Sequence, residues 1–302
     1  MRVLISGVTG FIGTPLAEVL DASGHEVWGL SRDPDAARKK VPQLADAFAW
    51  NPVAQQPAAA ALAGVNAVVH LAGESVAGRW TERKQQRIQD SRIIGTRNLV
   101  KAFETPSRPA VLVSSSAIGY YGERGDTELT EEHRPGNDFL ANVCQKWEHE
   151  AERAENLGVR VVRVRTGIVL APGGGALQAM LPPFKMGVGG PMGSGRQWWS
   201  WIHRHDLVAI MQRAVQDESM QGVYNGTAPT PMRQKEFGKV LGKVLRRPAF
   251  MPTPAFALKL LLGGFSTELL SSKRVLPERL EQAGFQFRHP DLEVALRAAL
   301  SR

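Results

Sequence analysis

Short apolar runs alternate with longer amphipathic stretches through the first half of the chain. The runs typical of buried strands cover 3–5, 26–30, 47–50, 67–71, 110–113 and 159–164. The two longest helical stretches cover 81–104 and 138–157, and Gly158 is a usual residue to end the second. Apolar strands separated by helices predict a parallel sheet covered on both faces, so the expected fold class is a doubly wound α/β sheet.

The pattern changes after about residue 170, where loops rich in Gly and Pro surround short helices. A helix near 206–216 and a strand at 222–225 are expected to return to the main sheet. We therefore predict an α/β domain over 1–170, to which 203–228 returns. A smaller lobe over 171–302 follows it, with a mainly helical C-terminal segment over 250–302.

The composition fits one large α/β domain with a smaller lobe. The chain has 302 residues, of which 43% are hydrophobic and one is cysteine. A single cysteine excludes a disulfide framework and a thiolate metal cluster, which favours the reducing cytoplasm and predicts no metal site. No apolar run reaches about 18 residues and the chain enters its first strand at once, so we expect neither a membrane partner nor a signal peptide.

The net charge of +8 indicates an anionic ligand or partner. The basic residues are dispersed, as at Arg79, Arg83 and Arg87 and again at Arg160 and Arg163, without interleaved aromatic residues. Nucleic-acid-binding modules concentrate such residues, so we expect no nucleic-acid partner. Attraction of a small anionic molecule explains the charge instead.

The turn after the first strand carries the pattern Gly7-x-x-Gly10-x-x-Gly13. Glycines there permit a positive φ and a close approach of the backbone to a ligand, and the next helix offers unpaired N–H groups to a pyrophosphate. A glycine triplet alone also fits a tight turn without a ligand. Here strand, triplet, helix and next strand follow in the order of a βαβ nucleotide-binding unit, which predicts a Rossmann-type dinucleotide site.

The end of the second strand indicates which dinucleotide binds. NAD sites carry an acidic residue there that binds the ribose hydroxyls, whereas this chain has Ser31 and Arg32. A guanidinium matches a phosphate, so the sequence favours NADP(H) over NAD. Asp33 lies one or two places late for the ribose role, and we expect it to cap a helix that begins at Pro34.

The remaining cofactor contacts are expected at the other strand ends, because parallel sheets bind ligands at the carboxyl ends of their strands. The residues predicted to bind NADP(H) are Gly7, Gly10, Phe11, Ile12, Gly13, Ser31, Arg32, Leu71, Ala72, Gly73, Ser114 and Arg165.

These segments resemble the extended short-chain dehydrogenase/reductase superfamily, as do the sequences at 70–73, 95–99, 114–117 and 201–206. More closely, the chain is similar to the atypical, YfcH-type epimerase family. That family has Ser-Arg after the second strand, Tyr-Tyr-Gly after the serine strand and a Cys…Trp-Glu helix. It also has a characteristic C-terminal segment, matched here over 252–277. The resemblance spans nearly the whole chain and implies a nicotinamide dinucleotide cofactor.

The resemblance also identifies a missing pair. Working members of the superfamily have a Tyr and a Lys one helical turn apart, and the Tyr moves a proton as hydride passes to or from nicotinamide. This chain has no Tyr-x-x-x-Lys, and alignment of the helix puts Leu140 and Cys144 at those positions. Leucine has no proton to give, and a cysteine on an apolar face stays neutral, so we expect Cys144 to be a core residue.

Two hydroxyls remain as catalytic candidates. Ser116 matches the superfamily's catalytic serine and could hold a substrate carbonyl, although serines at strand ends are also common turn residues. Tyr121 could point back toward the nicotinamide, although an aromatic pair before a glycine is equally typical of packing. Trp198, Trp199 and Trp201 fit either a flat stacking wall or, as we prefer, the core of the lobe.

The expected function is therefore that of an NADP(H)-binding epimerase-family protein, an oxidoreductase on a small carbonyl or hydroxyl substrate, acting as a monomer or homodimer. The missing Tyr and Lys leave open a non-catalytic redox sensor or scaffold. A strict sugar-nucleotide epimerase is disfavoured by the same absence, and because Ser31 and Arg32 indicate NADP.

Overall fold

A parallel sheet of seven strands forms the centre of the computed structural model, which describes residues 1–105 and 108–300. The strands of this described part are β1 (Arg2–Ser6), β2 (Glu26–Ser31), β3 (Leu44–Ala49), β4 (Ala67–His70), β5 (Val111–Ala117), β6 (Glu128–Leu129), β7 (Arg160–Thr166), β8 (Ile168–Leu170), β9 (Trp198–Trp199), β10 (Trp201–His203), β11 (Gly222–Gly226), β12 (Met232–Arg233) and β13 (Arg274–Val275). Its helices are α1 (Gly13–Ala22), α2 (Pro34–Lys40), α3 (Glu82–Lys101), α4 (Phe139–Glu152), α5 (Gly175–Lys185), α6 (Arg204–Gln216), α7 (Gln234–Leu245), α8 (Ala255–Leu262), α9 (Phe265–Leu270), α10 (Glu278–Gln282) and α11 (Leu292–Leu300).

The order of strands in the sheet is β11-β7-β5-β4-β1-β2-β3, which confirms the doubly wound fold class. From β1 the chain adds β2 and β3 on one side and then crosses to add β4 and β5 on the other. This reversal opens a crevice beyond the carboxyl ends of β1 and β4, where folds of this type bind ligands.

Both faces of the sheet are buried, because successive side chains of a strand point to opposite sides. Val3 and Ile5 belong to the core shared with α1 and α6. Leu4 belongs to the core on the other face, which α3 and α4 cover. The near-continuous apolar runs of the sequence therefore correspond to strands covered on two sides.

A third core lies outside the sheet and is built from α5, α7, α11 and the tryptophan run. Trp199 and Trp201 are buried in it, and the Trp199 ring lies 5.4 Å from that of Phe237. Trp198 is different, because the guanidinium carbons of Arg233 and Arg274 lie 4.4 and 4.6 Å from the centre of its ring. The core interpretation therefore holds for two of the three tryptophans.

Three short strand pairs that the apolar pattern did not predict lie outside the seven-stranded sheet of the described residues. They are β8 with β10, β9 with β12 and β6 with β13. Pairs of two or three residues are too short to give a periodic signal, so only the folded chain defines them. None of the described helices is both long and apolar enough to cross a bilayer.

Candidate functional site

The glycine turn between β1 and α1 is packed too closely for side chains. Gly7 has a φ of +70°, and a Cβ there would lie 3.0 Å from the backbone nitrogen of Ala72. A Cβ on Gly13 would lie 2.3 Å from the carbonyl oxygen of Gly7 and 2.8 Å from the Cα of Val8. Helix α1 starts here with Ile12 at its N-cap and no side-chain cap. The Thr14 N–H donates to the carbonyl of Gly10 at 3.1 Å and Pro15 has no N–H, so Ile12 and Gly13 supply the N–H groups available to an anion.

A buried polar chain fixes the loop that faces this turn. The Ser6 hydroxyl accepts hydrogen bonds from the backbone N–H groups of Leu71 and Ala72, at 3.1 and 3.2 Å, and lies 2.6 Å from Nδ1 of His70. Since the Ser6 hydroxyl accepts two hydrogen bonds, its own proton is donated to Nδ1 of His70. The other ring nitrogen of His70, Nε2, therefore carries the proton and donates it to the Thr96 hydroxyl at 3.0 Å. Burial lowers the pKa of His70 to about 4, so the neutral ring holds the loop at neutral pH.

A cavity of about 670 Å³ lies beyond the ends of β1, β2 and β4. Seven of the residues predicted to bind the cofactor line it: Gly7, Gly10, Ser31, Arg32, Leu71, Ala72 and Gly73. Residues that the sequence analysis missed complete it, among them Lys40, Trp50, Asn51, Pro52, Val53 and Arg87. The segment 50–53 follows β3 directly, so extending the strand-end rule to that strand would have found it.

The β2 end of the cavity is basic. Arg32 lines it and forms no ion pair with any carboxylate in the described part of the chain. Lys40 lines it as well, and its ammonium donates to the carbonyl of Thr9 at 2.8 Å. Asp33 lines the cavity too; one oxygen of its carboxylate accepts from the Ala36 N–H at 2.9 Å and caps α2, as predicted. This end of the cavity can therefore hold a phosphate group.

A second group of polar residues lies inside the protein, between β5, β7 and α4. Glu148 accepts from Ser116 at 2.6 Å and from two nitrogens of Arg165, at 2.8 and 2.9 Å. Arg165 also donates to the Tyr121 hydroxyl at 3.0 Å, and that hydroxyl donates to Asn225 at 2.7 Å. Arg165 is 3% exposed and Tyr121 is 0% exposed. These residues form a closed, buried network.

This network bears on the catalytic candidates. Burial raises the pKa of Tyr121 to about 12, and its hydroxyl is engaged on both sides. The Ser116 hydroxyl is committed to Glu148. The roles of Ser116 and Tyr121 in catalysis, and of Ser114 and Arg165 in cofactor binding, stay predictions, and the burial of all four side chains argues against direct contact with a ligand.

Helix α4 presents an apolar face where the superfamily has its Tyr and Lys. Leu140 and Cys144 are buried and pack beside Gly119, where an added Cβ would lie 3.2 Å from Leu140 and 3.9 Å from the Cys144 sulfur. Burial raises the pKa of Cys144 to about 12. The thiol is therefore neutral and packs as a small apolar group, as the sequence predicted.

Comparison with known families identifies the fold of this site. The family model described as "NAD dependent epimerase/dehydratase family" matches residues 3–225, and a domain of unknown function, DUF1731, matches residues 253–299. The chain belongs to the NAD dependent epimerase/dehydratase family. The two matches together confirm the resemblance that the sequence motifs indicated, including that of the C-terminal segment.

Relatives in this family are similar over nearly their whole length. The chain is 42% identical to the "Epimerase family protein SDR39U1 homolog, chloroplastic" of Arabidopsis thaliana, over 99% of this chain and 87% of the relative. It is 37% identical to the Bacillus subtilis epimerase family protein YfhF, over 98% and 97%. The crystal structure of the human epimerase family protein SDR39U1 (isoform 2) with NADPH superposes with a TM-score of 0.89 at 36% identity, covering 99% of both chains.

Proposed function

We propose that this chain binds NADP(H) and acts as an oxidoreductase on a small carbonyl or hydroxyl compound. The observation that carries the proposal is the guanidinium of Arg32, which forms no ion pair within the described residues. It lies at the β2 end of a cavity that begins at a helix N-terminus without a side-chain cap. The human relative whose structure is described as containing NADPH supports the same cofactor, because it shares this fold over its full length.

The residues at the site fit a phosphorylated dinucleotide. The Gly7–Gly13 turn leaves no room for side chains, so backbone amides at the start of α1 can approach the pyrophosphate. Arg32, assisted by Ser31, would hold the 2′-phosphate, and the wall formed by 50–53 would face the adenine. When bound, the nicotinamide supplies or accepts a hydride.

We extend the proposal to the two parts of the chain and assign one to the cofactor and the other to the substrate. Residues 1–170 would hold the cofactor and 171–302 would supply the substrate side. A second cavity, of about 910 Å³, lies between the segment 123–138 and helices α8 and α9 and supports this assignment. Its lining combines the Lys259 ammonium and the Asp138 carboxylate with the apolar side chains of Phe256 and Leu270. The proposed location is the reducing cytoplasm, since the one cysteine is a buried free thiol.

A second candidate function is an NADP(H)-binding redox sensor or scaffold without turnover. The specific observation in its favour is that none of the three side chains at the positions expected to transfer a proton is suited to do so. Leu140 has no titratable proton, the Cys144 thiol has its pKa raised by burial, and Tyr121 is enclosed. An oxidoreductase would therefore have to take its proton from another group or from water.

Isothermal titration calorimetry with NADPH and NADH tests the cofactor assignment. We expect NADPH to bind at least about tenfold tighter, since a charge-assisted hydrogen bond contributes about 1.5–3 kcal/mol. Arg32→Ala should remove most of that difference and leave NADH affinity unchanged. Lys39→Ala, which removes an exposed cation of the following helix α2 outside the cavity, should change neither the NADH affinity nor the preference for NADPH. Equal affinities for the two dinucleotides in the wild-type protein would overturn the assignment.

The two functions are separated by turnover. NADPH absorbance at 340 nm would be followed with a panel of aldehydes, ketones and keto acids. Consumption with any of them supports the oxidoreductase. Tight NADPH binding with no consumption across the panel supports the sensor instead.

A further inference from the structure

Arg92 of helix α3 lies beside the cofactor crevice and was not among the predicted site residues. Its Nη1 donates to the carbonyl oxygen of Glu74 at 2.9 Å and to that of Ile88 at 3.2 Å. The guanidinium carbon lies 5.1 Å from the centre of the Trp147 ring. A Cβ added to Gly73 would lie 3.4 Å from the same guanidinium carbon. These contacts hold the guanidinium against the end of β4.

The charge of Arg92 has no partner within the described residues. No carboxylate there forms an ion pair with it, and the nearby Glu74 carboxylate is engaged by Lys84 at 2.7 Å and by Arg87 at 3.6 Å. Cys144 lies close by, but its thiol is neutral. Burial lowers the pKa of Arg92, because the cost of desolvating its charge exceeds the attraction of the nearby Glu74 carboxylate.

Part of the guanidinium is also free to bind. Both hydrogen bonds from Arg92 come from Nη1, so Nε and Nη2 have no acceptor in the described part of the chain. These two nitrogens form a planar pair of parallel N–H groups, which suits a ligand that offers two adjacent oxygen acceptors.

The position of Arg92 assigns it to one half of the dinucleotide. Arg32 and 50–53 mark the adenosine end of the crevice, at β2 and β3. Gly73, against which Arg92 packs, follows β4, on the opposite side of β1. A dinucleotide that spans the crevice places its two halves on the two sides of this switch point. The half that reaches β4 is the nicotinamide half.

We propose that Arg92 binds the nicotinamide half of NADPH through the Nε and Nη2 edge of its guanidinium. The proposal rests on the proposed NADP(H) binding and adds to it a cation at the reacting end of the cofactor. Such a cation also favours one redox state, because the oxidised nicotinamide ring is positively charged and the reduced ring is neutral. The site is therefore expected to prefer NADPH to NADP⁺.

The experiment compares NADPH with adenosine 2′,5′-bisphosphate, which has the phosphorylated adenosine end and lacks the nicotinamide half. By calorimetry, Arg92→Gln should weaken NADPH binding about tenfold or more and leave the bisphosphate within about twofold of the wild type. It should also reduce the preference for NADPH over NADP⁺. Arg83→Ala, at an exposed arginine of the same helix outside the cavity, should change none of these affinities.

Two results would overturn the role of Arg92. One is an unchanged NADPH affinity in Arg92→Gln, and the other is an equal loss for NADPH and the bisphosphate, which indicates a general disturbance of the site. Arg92→Lys keeps the charge and loses the planar fork, so it gives the same selective test, at a smaller loss, where the Gln variant does not fold. Failure of the wild-type protein to bind NADPH at all would instead overturn the proposed function, and the role of Arg92 with it.

Discussion

The buried ion pair between Glu148 and Arg165 gives the most direct test of the polar network. Both residues are almost fully buried, with 5% and 3% of their surface exposed, and two hydrogen bonds of 2.8 and 2.9 Å join them. Glu148→Gln keeps the shape of the side chain and removes its charge. The guanidinium of Arg165 is then left inside the protein without a counter-ion.

The expected cost follows from this burial. Removing one partner of a buried ion pair destabilises a protein by about 3–5 kcal/mol. A chain of 302 residues has an unfolding entropy of roughly 0.6 kcal/mol/K near its melting temperature. We therefore expect the melting temperature of Glu148→Gln to fall by about 5–8 °C.

The assay is thermal unfolding followed by circular dichroism, with urea unfolding for the free energy. Glu152→Gln is the matched control: it lies on the same helix and its carboxylate is 3.5 Å from Arg163, but it is 48% exposed and should cost less than about 1 kcal/mol. The double variant Glu148→Leu with Arg165→Met should recover much of the loss, since no unpaired charge remains. The reasoning would be refuted if the melting temperature of Glu148→Gln fell by less than about 1 °C, or if it fell equally in Glu148→Gln and Glu152→Gln.

Three further predictions concern the nucleotide turn, the buried histidine and the thiol. Gly13→Ala should abolish NADPH binding in calorimetry, because its Cβ would lie 2.3 Å from the Gly7 carbonyl oxygen; unchanged affinity would contradict the close packing of the turn. Burial lowers the pKa of His70 to about 4, so between that pH and 6.5 the unfolded chain binds a proton that the folded chain does not, and stability falls as the pH falls. Urea unfolding should give a value about 2 kcal/mol lower at pH 5 than at pH 7.5, and the same dependence in His70→Asn would assign it to other groups. Cys144 should resist iodoacetamide at pH 8 until urea unfolds the protein, as measured by mass spectrometry; prompt labelling of the folded chain would contradict its burial.

The features that sequence analysis predicted correctly depend on short stretches of chain. The cap formed by Asp33 joins residues three apart. Gly158, with a φ of +76°, ends the 3₁₀ helix Arg153–Leu157 that follows α4 directly. Element limits were less accurate. The strand expected at 47–50 is Leu44–Ala49. The helix expected to begin at Thr81 begins at Glu82, because the Thr81 hydroxyl accepts a hydrogen bond from the Lys84 N–H and so forms the N-cap. Limits depend on pairing with distant strands, which a single-sequence pattern does not contain.

The same distinction between local pattern and tertiary contacts applies to the residues of the candidate site. Seven predicted cofactor residues line one cavity, because strand ends of a parallel sheet meet at one edge whatever the details of packing. Ser116 was chosen by alignment and Tyr121 by its position on the following loop, and the structure places both in a buried network with Glu148 and Asn225. Arg92 was passed over as one of many dispersed basic residues, since nothing local distinguishes a guanidinium that lacks a counter-ion.

The sequence by itself determined the alternation of strands and helices, the glycine turn, the basic residue after β2 and the missing Tyr–Lys pair. Each of these is set by residue type and by spacings of a few residues. Only the tertiary structure decided which hydroxyls are enclosed and which cations have no ion pair among the described residues. Burial and charge pairing depend on side chains brought together from β5, α4, β7 and β11, and the free energy of a polar group is set by those neighbours, not by its place in the sequence.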